Sequence, residues 1–294
     1  MSYDGILNRV TGLLIIEVRN SNPNGDPDNE GEPRQRQDGY GIITGVSLKR
    51  KLRDLVEAKD GPVWDVLSKE LGISGQPEVF QVLESRGRNR EEIKNLKKDE
   101  FQRRYWDARL FGTTFLESIK NDKNVKPADV EHFIRTGVAQ IPNAISIAPI
   151  AIERITNTNK AGVQEGKDRG MAPLAYRVVQ HGVYAMPFFI NPSAATRSGC
   201  QPVDIALLKR LLPYAYPQTA SSVRPCVEIR HAWYVEHRSP LGSYSDFAIL
   251  DALTPKKREN PQIPSSNWDE YEVPMGIPDI EKSVGLQCID LTCI

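Results

Sequence analysis

Apolar and polar positions divide the N-terminal part of the chain into a strand, a loop and a helix. Val10–Arg19 is a mostly apolar run followed by the polar Asn20–Gly25, which predicts a buried first strand that enters a turn-rich segment. Residues 20–45 contain five glycines and three prolines, and a loop of this length is usually functional or disordered. Leucines and a valine then recur at helical spacing over Thr44–Glu57, so an amphipathic helix is predicted there.

Further along the chain, the pattern changes from helical to strand-like. Residues from about Gly61 to Trp106 have helical periodicity, and 128–135 predicts one more helix. Apolar residues over Gly137–Ile155 and Tyr176–Ile190 are typical of strands, and the polar, glycine-punctuated Thr156–Gly170 separates them. These segments predict a long β-hairpin with a mobile tip, because the tip has little apolar area to bury.

The C-terminal part of the chain contains fewer periodic segments. A helix is predicted over Ile205–Tyr214 and a strand over Cys226–Val235. From Thr254 onward, proline-rich irregular structure is expected, with a final strand at Val284–Ile294. The mixture of helices and strands predicts an α+β fold.

Composition is that of a soluble globular protein, with 39% hydrophobic and 26% charged residues. No apolar stretch approaches the length of a membrane span, and no signal-like segment precedes the first strand, so we expect a cytoplasmic protein without membrane contact. The 38 Lys and Arg residues balance 38 Asp and Glu residues. From Thr254 to the end, however, four basic residues stand against seven acidic ones. A basic face can therefore exist elsewhere on a neutral chain.

Candidate metal and nucleotide sites are few. The four cysteines form no C-x-x-C pair, and the four histidines are scattered between them, which argues against zinc. His231 and His237 would face the same side of one strand, but no third ligand with suitable spacing accompanies them. The sequence has no G-x-x-x-x-G-K-[ST] motif and no G-x-G-x-x-G motif after a strand, which are the glycine-rich motifs that bind nucleotides. We therefore expect no cofactor and reduced, structural cysteines.

The predicted first helix carries the strongest binding signal. Gly45 and Ser47 would lie at its N-terminus, where free N–H groups and the helix dipole favour an anion. Lys49, Arg50 and Arg53 fall beside its apolar face, within reach of neighbouring phosphates. The alternative is a solvated helix face with an Arg53–Glu57 pair.

The predicted hairpin offers a second set of candidates. Met171, with Tyr176 and Arg177, could wedge against bases at the base of the hairpin. A plain polar loop is the alternative. The candidate phosphate-binding residues of the hairpin are Arg154, Lys160, Lys167 and Arg169.

The aspartates of the long loop suggest a metal, but weakly. Asp26 and Asp28 fit the start of a calcium-binding loop, yet Gln37 stands where a glutamate is required. Turn formation by Asn, Asp, Gly and Pro explains the segment as well. With Asp38, these residues keep one alternative open, a metal-dependent endoribonuclease.

Several motifs, in order, closely resemble the backbone subunit of type I-C and related CRISPR Cascade complexes, of the RAMP superfamily. The resemblance spans most of residues 9–253, and 57–106 and 254–294 match less clearly. It is carried by Asn22-Pro-Asn-Gly-Asp-Pro-Asp28, Gly41–Arg53, Asp107-Ala-Arg-Leu-Phe-Gly112, Gly137-Val-Ala-Gln140, Ser146-Ile147 and Arg224.

The resemblance implies a ferredoxin-like, RRM-type βαββαβ palm with a helical fingers insertion and a β-hairpin thumb. The implied parts are the first palm segment at 1–56, fingers at 57–136, the rest of the palm at 137–253 with the thumb at about 150–178, and a tail at 254–294. No aromatic-rich RNA-binding motif stands on a central strand, so binding is expected from loops and helix flanks.

The resemblance also implies the function. In that family, copies polymerise head to tail along the spacer of a CRISPR RNA, which then pairs with target DNA beside other Cascade subunits. The subunit is expected to be non-catalytic. Lys49, Arg50 and Arg53 are expected to bind phosphates of the RNA, and Arg224 is expected to support this binding. The loop residues expected beside the RNA backbone are Asn20, Asn22 and Asn24. The endoribonuclease and a protein–protein scaffold without RNA remain the alternatives.

Overall fold

A computed structural model describes residues 7–85, 87, 93, 96–115, 133–160 and 171–293. The strands are β1 (Val10–Ser21), β2 (Tyr40–Ile43), β3 (Gly112–Phe115), β4 (Phe133–Thr136), β5 (Ala139–Gln140), β6 (Ala144–Pro149), β7 (Ile152–Lys160), β8 (Met171–Ile190), β9 (Val227–Glu236), β10 (Lys256–Lys257), β11 (Tyr271–Glu272) and β12 (Gln287–Asp290). The described α-helices are α1 (Gly45–Glu57), α2 (Pro62–Glu70), α3 (Lys98–Arg104), α4 (Trp106–Phe111), α5 (Ala195–Ser198), α6 (Pro202–Leu211), α7 (Asp246–Leu253) and α8 (Pro278–Val284). Short 3-10 helices lie at Pro77–Phe80, Pro192–Ala194, Leu212–Tyr214, Pro217–Thr219, Trp268–Glu270 and Leu291–Cys293.

One large antiparallel sheet organises the molecule. Its strand order is β12-β9-β1-β8-β6-β2, and β5 and β7 also pair with β8. The first strand lies between β8, from Val10 opposite Ile190 to Ser21 opposite Val179, and β9. Helix α1 lies in the chain between β1 and β6, and α6 lies between β8 and β9. The α+β class predicted from the sequence is therefore confirmed.

The first strand is mostly apolar because both of its faces are buried from Val10 to Val18. Leu14 and Ile16 point into the main hydrophobic core, whereas Leu13 and Ile15 point into a second core on the opposite face. A strand covered on both sides has no solvent face to fill with polar residues, so a continuous apolar run replaces alternation. The predicted strand is confirmed and extends to Ser21.

The two faces of the sheet are covered by different parts of the chain. Helices α1 and α6 cover the main core with the leucines of their apolar faces, as their periodicity predicts. The other face is covered by the C-terminal segment, from which Ile249, Tyr271 and Leu286 pack against Leu13 and Trp233. Described residues therefore cover both faces of the sheet at its central strand.

Several predictions of local structure need correction. Residues 133–135 belong to β4, which pairs with β3, so the predicted helix is wrong there, and 128–132 lie outside the described residues. The tail is less irregular than predicted, because Pro278–Val284 is helical and the final strand is only Gln287–Asp290. Strand β2 lies inside the predicted loop and is held by pairing with β6.

The predicted hairpin is formed by β7 and β8. Its ladder runs from Ile152 opposite Val179 to Lys160 opposite Met171. The tip was predicted over Thr156–Gly170, but residues 156–160 continue β7, because they pair with 171–175 of β8. The rest of the predicted tip, 161–170, lies outside the described residues. In the part of the chain that the structure describes, no helix combines the length and apolar character needed to span a bilayer. The division into palm, fingers, thumb and tail stays a prediction.

Candidate nucleic-acid interface

The backbone N–H groups of Gly45 and Ser47, at the N-terminus of α1, already have acceptors within the protein. The hydroxyl of Thr44 caps the helix by accepting from Ser47 N at 3.2 Å, and Gly45 N donates to Asn143 Oδ1 at 3.3 Å. A side chain at Gly45 would put its Cβ 1.9 Å from the carbonyl oxygen of Ile141, so only glycine fits. The predicted phosphate contacts of Gly45 and Ser47 would therefore need the Ser47 hydroxyl, since both backbone donors already have acceptors.

The three loop asparagines have different surroundings. Asn20 is exposed and adopts a left-handed backbone conformation, with φ of 41°. Asn22 is 7% exposed, and its Nδ2 donates to the carbonyl oxygen of Gly31 at 2.7 Å. Asn24 Oδ1 accepts from Thr44 N at 2.8 Å and so ties the loop to the cap of α1. Asn22 and Asn24 fold the loop, and the Asn20 side chain remains accessible.

Two of the three basic residues predicted beside the apolar face of α1, Arg50 and Arg53, form ion pairs within the protein. Arg53 donates from Nε to Oδ2 of the buried Asp107 at 2.8 Å. Arg50 pairs with Asp54 at 2.7 Å and with Glu57 at 2.8 Å, and it also donates to the carbonyl oxygen of Glu84. The Arg53–Glu57 pair considered from the sequence is replaced by these contacts.

Lys49, the third of these basic residues, has no carboxylate partner among the described residues. Its ammonium and the guanidinium of Arg53 both lie 5.4 Å from the centre of the Phe111 ring. Partial burial and the charge of Arg53 lower the pKa of Lys49. An anion beside Lys49 would relieve this uncompensated charge.

The Asp107–Gly112 motif forms a structural junction. Asp107 is 1% exposed and also accepts from the backbone N–H groups of Leu83 at 2.7 Å and Glu84 at 3.2 Å. Arg109 donates through two nitrogens to Asp204, at 2.8 and 3.0 Å, with both side chains buried. The two charged residues of the motif therefore join α4 to α1 and to α6.

Two hairpin cations with described side chains, Arg154 and Arg177, differ in their ion pairing. Arg154 lies opposite Arg177 in the ladder, and Arg177 is neutralised by Glu30 at 3.2 Å and Glu32 at 2.7 Å. Arg154 is exposed and has no ion-pair partner among the described residues. The backbones of Lys160 and Met171 pair at the end of the described ladder. Lys167 and Arg169 lie outside the described residues.

Lys51 is a residue that the sequence analysis missed. It is 4% exposed, its Nζ donates to Thr219 Oγ1 at 2.9 Å, and it lies 5.0 Å from the centre of the Tyr216 ring. Burial is the main reason, and the charge of Arg224 the second, that its pKa falls to about 8. The available signal was its position on the apolar face of α1, three residues after Leu48.

Arg224 is held by the end of the first strand. Its Nε donates to the carbonyl oxygen of Asn22 at 2.9 Å. The backbone N–H of Asn22 donates in turn to Val223 O at 2.8 Å. The fold therefore brings together two residues that were separately predicted to lie at the RNA, Asn22 and Arg224.

The loop aspartates are engaged in turns and ion pairs. Asp26 pairs with Arg34 at 3.2 Å and accepts from the backbone N–H of Asp28 at 3.3 Å. Asp38 pairs with Arg36 at 2.7 Å. Among the described residues, no three His, Cys, Asp or Glu side chains are grouped so that they could hold a metal ion.

The two histidines considered from the sequence have structural partners. His231 Nδ1 lies 2.7 Å from Asp290 Oδ2, and its ring stacks on Trp233 with centroids 5.2 Å apart. His237 is buried, with Nε2 3.0 Å from the hydroxyl of Thr11.

Together, the fold and this surface define an α+β protein that keeps uncompensated cations around its first strand, loop and helix. The family model described as CRISPR-associated protein Cas7 matches residues 8–276. The chain belongs to this family, so the resemblance found in the sequence is confirmed at the family level. The I-C subtype stays a prediction.

A relative with the same family description matches a short part of the chain. The CRISPR-associated protein Cas7 of Haloferax volcanii is 46% identical over 52 residues, which are 17% of this chain and 15% of that protein. The match therefore spans a small part of the relative's length.

Solved structures with a similar chain belong to CRISPR complexes. A chain of a "CRISPR RNA-guided surveillance complex, pre-nicking" has 14% identity and a TM-score of 0.47, over 77% of this chain and 78% of that one. A chain of a "CRISPR RNA-guided surveillance complex" has 15% identity and a TM-score of 0.45, over 88% and 77%. A chain of the Type III-B Cmr-beta complex bound to cognate target RNA has 9% identity and a TM-score of 0.42, over 78% and 61%. The family assignment rests on the match over residues 8–276.

Proposed function

We propose that this chain is a non-catalytic, RNA-binding backbone subunit of a CRISPR ribonucleoprotein that acts in antiviral defence. The observation that carries the proposal is the set of cations that lack carboxylate partners within the described ranges. Lys49 and Lys51 lie on α1, and Arg224 lies at the end of β1. A neutral chain that leaves such charges unpaired on one strand–loop–helix unit is suited to a polyanion.

The palm in this proposal is ferredoxin-like. Its four strands would be β9, β1, β8 and β6, which are neighbours in that order with antiparallel pairing. Helix α1 between β1 and β6 and helix α6 between β8 and β9 complete a βαββαβ succession. The covered second face of the sheet supports RNA binding by loops and helix flanks.

In the assembly that we propose, copies associate head to tail along the spacer of a CRISPR RNA, together with other Cascade subunits. The guide would then pair with target DNA, so that base pairing reads the sequence and the protein holds the backbone. Contacts of this heterologous kind generate open helical filaments. Balanced charge fits a subunit whose basic groove meets phosphates while its acidic tail faces elsewhere.

The RNA contacts are assigned by accessibility. Lys49, Arg154 and Arg224 contact phosphates, and Asn20 lies beside the RNA backbone. Arg53 and Arg50 act mainly by holding α1 in place, because their guanidinium groups are already bound by carboxylates. The remaining predicted contacts are those of Asn22, Asn24, Gly45, Ser47, Lys160, Lys167, Arg169 and Met171.

Salt-dependent RNA binding tests the proposal. Fluorescence anisotropy with a single-stranded RNA should give affinity that falls with salt, and removing one phosphate-binding cation should reduce the log–log slope by about 0.7. Lys49→Gln and Arg154→Gln should each lower this slope. Lys69→Gln is the matched control, since Lys69 is exposed on α2 and paired with Asp65 at 2.6 Å. Equal slopes for all variants would contradict the assigned contacts.

A further inference from the structure

Two buried hydrogen-bond donors lie together where α1 meets the turn at Pro217–Thr219. The Lys51 ammonium has one hydrogen-bond acceptor among the described residues, Thr219 Oγ1, and that hydroxyl donates onward to the carbonyl oxygen of Ala215 at 2.6 Å. Tyr216 lies against the same ammonium, is 2% exposed, and its buried hydroxyl has no hydrogen-bond partner among the described residues. An unpaired buried hydroxyl is costly, so a missing acceptor is indicated.

Arg224 adds a positioned cation to this pair. Its backbone N–H closes the turn by donating to Ser221 O at 2.8 Å, and its Nε is held by the carbonyl oxygen of Asn22 at 2.9 Å. Its two terminal nitrogens have no acceptor in the described part of the chain. Arg224 is the partly exposed member of the group, so it marks the side from which a ligand arrives.

The charges of this group are not balanced by the described part of the protein. The charge of Arg224 acts on Lys51, where it adds to burial in lowering the lysine pKa, and on Tyr216, where it opposes the raising of the pKa by burial. Asp54 is the one carboxylate that acts on Lys51 in the opposite direction, and it is already paired with Arg50. Two like charges that act on each other without a free counter-ion are costly, and a bound anion removes that cost.

We infer that Lys51, Arg224 and Tyr216 form a site for one phosphate group, which an internucleotide phosphate of the bound RNA occupies. An ammonium, a guanidinium and a phenol can each donate hydrogen bonds, and a phosphate offers several acceptor oxygens. The inference rests on the proposed function and deepens it. It also places the RNA backbone at the end of β1, beside the accessible Asn20.

The experiment compares conservative variants in the full chain. Lys51→Met, Tyr216→Phe and Arg224→Gln are measured for RNA affinity across a salt series. Lys209→Met is the matched control, because Lys209 also lies on a tyrosine ring, 4.4 Å from the centre of Tyr234. Circular dichroism and thermal unfolding verify the fold of each variant. Tyr216→Phe removes one oxygen atom and is the variant least able to disturb folding.

Wild type and Lys209→Met should bind RNA equally, which tests the proposed function separately. Lys51→Met and Arg224→Gln should each weaken binding about tenfold and lower the salt slope by about 0.7. Because both residues would hold the same phosphate, the double variant should lose less than the sum of the two. Raising the pH through the Lys51 pKa of about 8 should weaken wild-type binding more than that of Lys51→Met, in which Lys49 is the remaining lysine with a lowered pKa on α1.

Two results would overturn the inference. Unchanged affinity and slope in the folded Tyr216→Phe and Lys51→Met variants would make the group structural. Alternatively, inorganic phosphate could raise the unfolding temperature of wild type but not of Tyr216→Phe while RNA binding stays equal. The site would then serve a free anion. Absence of RNA binding by wild type would reject the proposed function as well.

Discussion

The guanidinium of Arg53 on α1 donates to the carboxylate of Asp107 on α4, at 2.8 Å, and Asp107 is 1% exposed. Through this pair, Arg53 joins α1 to α4 and contributes to the stability of the fold. Helical spacing alone places Lys49 and Arg53 off the apolar face of α1, so from the sequence we expect charge reversal at both positions to leave the fold intact. With the pair in place, Arg53→Glu would put two carboxylates together, and Lys49→Glu alone is the cleaner test of RNA contact.

Loss of this pair should destabilise the protein. In Asp107→Ala, Arg53 loses its partner and two backbone N–H groups lose their acceptor, so unfolding free energy should fall by about 3 kcal/mol. Denaturant unfolding measures the change. Asp65→Ala is the control, because its exposed pair with Lys69 should contribute less than about 1 kcal/mol. Similar losses of unfolding free energy in both variants would show that the buried Arg53–Asp107 pair contributes no more to stability than the exposed Lys69–Asp65 pair.

Acid should weaken the sheet through Glu17. Burial opposes its ionisation, but hydrogen bonds from His181 and Arg19 and the charge of Arg230 outweigh it, and the pKa falls from 4.5 to about 2. A lowered carboxylate pKa stabilises the folded state above pH 4.5, by about 3 kcal/mol, and this contribution is lost as the pH falls toward 2. Glu17→Gln should therefore be less stable than wild type at neutral pH, and it should lose less stability than wild type as the pH falls from 4.5 to about 2.

The pH dependence can be assigned with a second carboxylate. Burial also opposes ionisation of Asp290, yet its hydrogen bonds, first that from His231, lower the pKa to about 2. Asp290→Asn should remove a further part of the acid dependence, and the double variant should show the flattest profile. A Glu17→Gln profile that parallels wild type would refute the role given to Glu17.

Shortening the hairpin should separate folding from assembly. Thr156 lies opposite Ala175, so replacing 157–174 with Asn-Gly would join them by a two-residue turn and keep the inner ladder. We expect a folded protein that assembles poorly on guide RNA. Sedimentation with and without RNA measures assembly. Filaments indistinguishable from wild type would contradict the assignment of this hairpin as a thumb.

Nuclease activity should be absent from the guide-loaded assembly. Asp26 and Asp38 are paired with arginines, and catalysis by a divalent ion needs carboxylates free to bind it in fixed geometry. The assay uses complementary RNA and complementary DNA, in magnesium and in manganese. The comparison variant is the Asp26→Ala, Asp28→Ala, Asp38→Ala triple. Cleavage at regular intervals that disappears in the triple variant would favour the endoribonuclease.

Elements with strong local periodicity could be predicted from the sequence. Strand β1, helix α1 and the inner part of the β7–β8 hairpin have apolar patterns that decide their structure. The outer part of the hairpin, 156–160 paired with 171–175, is polar in β7 and depends on cross-strand pairing. Strands β2 and β4 could not be predicted, because their extended state depends on pairing with β6 and β3. Helix α8 in the tail was missed for a similar reason, since it packs on a distant sheet face.

The candidate site was predicted only in part, because its ion pairs and hydrogen bonds join residues that are far apart in the sequence. Arg53 lies 54 positions from Asp107 in the chain, so helical spacing alone could not show that it was already bound. Lys51 lies 168 positions from Thr219, and its burial becomes visible only when α1 meets that turn. Asn22 and Arg224 were both proposed from the family motifs, and the fold brings them together at 2.9 Å.

The central claim is that this chain holds a guide RNA by its backbone without cutting it. The most direct measurement is to purify the protein from cells that express a CRISPR array, extract the bound nucleic acid, and determine its length and sequence. We predict RNA of uniform length that carries spacer sequence and is absent when Lys49, Lys51 and Arg224 are replaced together in a protein that remains folded. Purified protein without nucleic acid, or with RNA of random length and sequence, would contradict the account.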